Sequence, residues 1–188
     1  MNKFGLKQQV AAEVVRGKKR ADPFTVKGKF HIEHYSKAVN GARELLSKFE
    51  VDNGITNGGK DDVLGSLFDD TASKRTLWAI GQIDNAGFTA LADTTDTMAS
   101  HTGWAEFTTY SEGTRPLWNP DPAGSQAITN STPRDFNITG TATLQGVFIS
   151  SDDVKTGTTG ILWATALYPT PLAVSNGDLI KITYTVTA

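Results

Sequence analysis

Apolar and polar residues alternate along much of this chain, and turn formers separate the alternating runs. In "DLIKITYTVTA", Ile180, Ile182, Tyr184 and Val186 alternate with Lys181, Thr183, Thr185 and Thr187. Period two marks a half-buried strand, entered here through a turn at Asn176-Gly177-Asp178. "KGKFHIEHYSKAVNGARELLSKFEVD" shows the pattern twice. Phe30, Ile32 and His34 share one face of the first run, and Leu45, Ser47, Phe49 and Val51 share one face of the second. A loop around Asn40-Gly41 between them predicts a hairpin. Leu45-Leu46 also suits a helical turn. The period then changes: Val63, Leu64, Leu67 and Phe68 fall at helical spacing, which predicts one short helix over about 59–69. Asp61 and Asp62 are expected near its N-terminal end, where the helix dipole favours acids.

Strand patterning resumes at "RTLWAIGQI". Leu77, Ala79, Gly81 and Ile83 lie on one face, with Trp78, Ile80 and Gln82 on the other. Apolar residues on both faces predict a central strand. "GWAEFTTYS", "QAITN", "RDFNITG", "TATLQGVFISS" and "GILWATALY" follow, with a Pro- and Gly-rich loop, "EGTRPLWNPDPAGS", after the first. Turn signals at intervals of about 8–15 residues, with few helices, predict a mainly β fold. The expected architecture is an antiparallel β-sandwich, jelly-roll-like, with one short helix and an extended N-terminal arm. Thr-rich runs beside Gly, Asn and Asp turns point the same way.

The arm is expected over residues 1–25 and a single β-sandwich domain over 26–188. Phe4, Val10, Ala11, Val14 and Val15 suit a short amphipathic helix that Gly17 and Pro23 terminate. A helix this short needs a partner surface. Charge sharpens the division. Residues 1–20 hold Lys3, Lys7, Arg16, Lys18, Lys19 and Arg20 against Glu13, a net +5, and the rest holds 12 basic and 19 acidic side chains, a net −7. A basic arm on an acidic body suits an acidic protein surface or nucleic-acid phosphate, the alternative being a solvated terminus. The six basic side chains are the candidate partner contacts.

Composition removes several chemistries. The chain is 38% apolar and 20% charged, as globular chains are, and has no Cys, so disulfides, thiolate metal sites and thiol nucleophiles are excluded. Glu13 interrupts the apolar patch near the N-terminus, which therefore does not read as a secretory signal. No run approaches the roughly 20 apolar residues that span a bilayer, and no membrane partner is expected. His31 and His34 lie at i and i+3 on a predicted strand, on opposite faces, and cannot share one metal without a bend. They read as partly exposed strand histidines. His101 lacks a located carboxylate or oxyanion site. Asp93, Asp96 and the Asp pairs at 61–62, 69–70 and 152–153 do not match a calcium loop and read as solvated turns. "NGGKDD" lacks the Lys-Ser/Thr of a phosphate loop. No cofactor or metal is expected, and no catalytic residue is assigned.

Trp104, Tyr110, Arg115 and Trp118, with Phe107 among them, form the candidate interface or aromatic patch. An exposed platform of this kind would stack on sugar rings. The competing reading fills the core or a subunit contact.

"GWAEFTTYSEGTRPLW", "TATLQGVFISS", "GTTGILW", the closing "NGDLIKITYT" and "KFEVDNGITNGGKDDVLGSLF" carry a further signal. Over about 28–188 the chain resembles virion structural proteins of tailed bacteriophages, a group that includes fibre-like proteins; residues 1–20 are less typical of it. The resemblance implies a non-enzymatic virion component, made in the bacterial host cytoplasm. The expected role is an accessory capsid decoration or cement protein, anchored by its basic arm. A tail, neck or fibre component is the alternative. Partners would be the major capsid protein, or tail and connector proteins, with homo-oligomers formed and nucleic acid not contacted. A carbohydrate-binding adhesion module and a glycan depolymerase are the readings from other classes.

Overall fold

The computed structural model describes residues 25–69 and 74–188. Within them the mainly β sandwich expected from the alternation is present. One antiparallel sheet has β2 (Leu45–Asp52) at its edge, then β1 (Lys27–Tyr35) and β10 (Leu179–Thr187). The far side of β10 is shared by β6 (Ala127–Thr129) and β7 (Arg134–Asn137). The other sheet runs β3 (Gly54–Ile55), β9 (Leu162–Val174), β8 (Ala142–Ser150), β4 (Ala79–Asp84), β5 (Ala105–Phe107). After Asp52 the chain leaves the first sheet, and β3 joins the second beside β9.

Alternation decides which side chains face inward. Phe30, Ile32 and His34 of β1 are buried, as are Ile180, Ile182 and Tyr184 of β10. The five apolar ones meet Val147, Ile149, Ala164 and Ala166 of the opposite sheet in one core. Each fully buried side chain of this size contributes roughly 1.5–3 kcal/mol. The predicted turn at Asn40-Gly41 closes the β1–β2 hairpin, with both residues at positive φ (51° and 79°) and paired backbone bonds between Val39 and Ala42. Two successive positive φ values match the right-handed strand twist.

Strand β4 is buried on both faces, as its pattern predicted. Its second face is covered by the segment that follows, where Met98 and Trp104 pack with Ile83, Phe148 and Leu162 in a separate cluster. On β10, the interval between β6 and β7 lacks a strand partner. Asn130 fills it: its Oδ1 accepts from the Tyr184 N–H (2.7 Å), and its Nδ2 donates to the Ile182 carbonyl (3.3 Å). One buried amide thus replaces a missing rung of the ladder.

The helix departs from its sequence reading. α1 spans Asn57–Phe68, so Asp61 and Asp62 lie beyond its first turn. Thr56 caps it, accepting from the Gly59 N–H at 3.0 Å and donating to the Leu162 carbonyl. Gly59 lies against β9, where a Cβ would sit 2.6 Å from the Trp163 carbonyl oxygen. Of the expected apolar stripe only Val63 packs against the core, and the buried residues of the helix are Gly59 and Asp62. Leu64, Leu67 and Phe68 are exposed, Phe68 by 83%. Asp62 is buried and accepts two bonds from Arg75, at 2.6 and 2.8 Å.

Candidate functional site

The six basic arm residues, Lys3, Lys7, Arg16, Lys18, Lys19 and Arg20, lie outside the described residues. The aromatic candidates do not form a surface patch: Trp104, Tyr110, Arg115 and Trp118 are all buried. Each is fixed by its own contacts. Trp104 donates to Asp96 Oδ2 at 2.9 Å and is stacked by His101, with ring centres 3.8 Å apart. Trp118 donates to Asn130 Oδ1 (2.9 Å) and to the Tyr184 carbonyl (3.0 Å). Lys155 Nζ lies 3.7 Å from the centre of the Tyr110 ring. Burial pushes the Tyr110 phenol far above its ordinary value. A sugar-stacking platform on these rings has no exposed face. Their bulk fills the two clusters instead, the outcome the core-filling reading anticipated.

Arg115 organises the loops around β5 and β8. Its side chain is 1% exposed, yet every nitrogen has an acceptor. Nε and Nη2 make a fork to both oxygens of buried Glu106, at 2.9 Å each. Nη1 reaches Ser150 Oγ and the Asp152 carbonyl, Nη2 also reaches the Gly157 carbonyl, and the guanidinium lies 5.2 Å from the Phe148 ring centre. Glu106 accepts in addition from the Thr156 N–H. Planar bidentate geometry explains why an arginine stands here. The cluster is a clamp: its charges are neutralised among themselves.

The histidines also have structural partners. His34 Nε2 lies 2.9 Å from Asp178 Oδ2, both buried, and Asp178 also accepts from the Lys37 and Ser175 N–H groups. The expectation of partial exposure is therefore corrected for His34, which sits on the inward face beside the turn into β10. His31 points the other way, near Glu33 and Glu50, as opposite faces require. Among the described residues, no group of three or more His, Asp or Glu converges as a metal site.

An apolar opening at one end of the sandwich is a surface that sequence reasoning missed. Trp78, Trp118 and Trp163 line a cavity of about 190 Å³ with Val63, Ile128, Ile149 and Val186. Val63 and Trp163 also border a groove of about 360 Å³ walled by Thr25, Val26, Ile55, Lys60 and Leu64. The groove adjoins the exposed ridge of α1, and Thr25 is where the described chain leaves for residues 1–24. Strands from distant segments supply this lining, so no local pattern announces it. No protein-family model matches the chain, and comparison with curated proteins finds no match either.

Proposed function

We propose that this chain is a non-enzymatic structural protein of a tailed-bacteriophage virion, an accessory protein that decorates the capsid and is anchored by its basic N-terminal arm. The observation that carries the reading is the division of charge: +5 on residues 1–20 and −7 on the remainder. The arm joins the sandwich at Thr25, which walls the apolar groove. The virion resemblance of "GWAEFTTYSEGTRPLW" and "NGDLIKITYT" supports the same role. So does the engagement of His34, Glu106 and Arg115 in fold-holding bonds. A basic arm lies favourably along an acidic neighbouring subunit, and repeated placement by particle symmetry supplies many such contacts.

The test is copy number per particle, measured by quantitative mass spectrometry of purified virions. Copies in the same range as the major capsid protein support decoration. A count matching a single tail or neck ring overturns it in favour of the tail, neck or fibre reading, and absence from the particle overturns both.

A further inference from the structure

We propose that β2 is a self-pairing edge, through which two copies join antiparallel about a two-fold axis at Phe49. This surface involves the sandwich alone and stands or falls independently of the virion reading.

Among the described residues β2 has one sheet neighbour, β1. It is the longest of the strands with one whole side unpaired, since β3, β5, β6 and β7 have two to four residues each and β2 has eight. The Asn53 N–H donates to the Gly28 carbonyl, which fixes the phase of the β1–β2 ladder. Alternation then turns the backbone groups of Val51 and Phe49 toward β1, and those of Asp52, Glu50 and Lys48 away from it. Leu45 and Leu46, at the register shift opposite Tyr35, are both exposed. An unpaired, regular row of this kind is a template for another strand.

Charge selects the partner and the register. On the outer face, Lys48 is bonded to Glu33 of β1 at 2.9 Å, and Glu50 to Lys29 at 3.0 Å. Outward-facing positions must pair with outward-facing positions. Lys48 opposite Lys48, or Glu50 opposite Glu50, sets like charges together, which is destabilising. With Phe49 on the two-fold axis, Lys48 of each copy meets Glu50 of the other, twice. The outer face then reads Glu33, Lys48, Glu50, Lys29 across four strands, alternating in sign. On the inner face Phe49, packed edge-on against Tyr168 at 5.1 Å, meets its own symmetry mate. A contact of this kind is isologous and closed.

The test uses the full chain in sedimentation velocity at low salt, over micromolar to millimolar concentrations. The parent should form a dimer of twice 20.2 kDa. Lys48→Glu and Glu50→Lys should each weaken self-association at least tenfold, because each homodimer then faces like charges. Mixing the two variants should restore pairing, since both contacts across the two-fold axis are again attractive while the β1–β2 pairs within each copy stay as they are in the separate variants. Hydrogen exchange should show the Lys48 and Glu50 amides protected only in the dimer. A parent that stays monomeric, a Lys48→Glu variant that associates like the parent, or a mixture that fails to pair each overturns the proposal.

Discussion

Arg115 and Glu106 show how much a single buried charge depends on its partner. Replacing Arg115 by Met leaves a carboxylate that is 5% exposed without its countercharge, with the Thr156 N–H still donating to it. Breaking one side of such a pair costs about 3–5 kcal/mol. Urea unfolding of Arg115→Met should show that loss, and Arg115→Met/Glu106→Met should be milder than the single change, because no orphaned charge remains. A double variant as unstable as the sum of two singles would mean that the fork contributes nothing beyond packing. Glu33 gives a residue-scale pH dependence. Its bond from the Tyr35 hydroxyl (2.7 Å), then that from Lys48, holds its carboxyl down to about 2 from 4.5. A depressed folded-state pKa stabilises above the unfolded value and is lost as the pH falls through the folded one. The contribution is therefore complete above about pH 4.5 and disappears toward pH 2. Tyr35→Phe should raise the Glu33 midpoint in an NMR titration and flatten the acid loss of stability. An unmoved midpoint would assign the shift to Lys48. The sequence showed neither arrangement, since Arg115 and Glu106 are ordinary loop and strand residues until folding brings them together.

Strands were legible because each is bounded by turn residues and alternates over its own length. β1, β2 and β10 follow directly from residues such as Phe30, Val51 and Tyr184, and the Asn40-Gly41 turn from its chemistry. Gly41 has open space around it, so Gly41→Ala meets no clash and should cost only the left-handed backbone penalty, about 1–2 kcal/mol. Thermal unfolding would measure this, and a neutral result would mean the hairpin can shift its turn. The helix was legible by period but not by face. Periodicity places Val63, Leu64, Leu67 and Phe68 on one side, but it cannot tell that Gly59 permits close approach to Trp163, or that Thr56 ties the N-terminus to Leu162. Those two anchors rotate the contact toward Gly59 and Asp62, and leave the apolar ridge outside. The three tryptophans of the opening were unreadable for a similar reason: Trp78, Trp118 and Trp163 come from separate segments and converge only when the two sheets stack. Phe68→Ser should change stability by no more than about 0.5 kcal/mol, as an exposed substitution does. Loss of stability beyond that would show that the ridge is covered within the chain.

At the scale of the molecule, charge is divided along the chain, +5 on residues 1–20 and −7 on the remainder. The sandwich has its own continuous core from both sheets, in which Ile32, Ile149, Ala164 and Ile182 all take part. On the proposed role that core folds without residues 1–20, so deleting them should leave the unfolding midpoint unchanged, and a lowered midpoint would show that they pack on the sandwich. Attachment should behave differently. On the proposed virion role, six cations would meet an acidic surface through interactions that are screened over about 10 Å at 0.1 M salt. Binding of the intact protein to particles lacking it should therefore weaken steadily as salt rises, and the 1–20 deletion should bind poorly at every salt concentration. Substituting Lys18, Lys19 and Arg20 together by Gln should give an intermediate affinity and a shallower salt dependence. Pelleting the protein with depleted particles across a salt series measures all three. If the deletion binds as well as the parent, the contact belongs to the sandwich, and the exposed ridge of α1 beside the tryptophan-lined opening becomes the surface to mutate. If it binds poorly but salt has no effect, the apolar residues Phe4, Val10, Val14 and Val15 hold the arm in place rather than its charge.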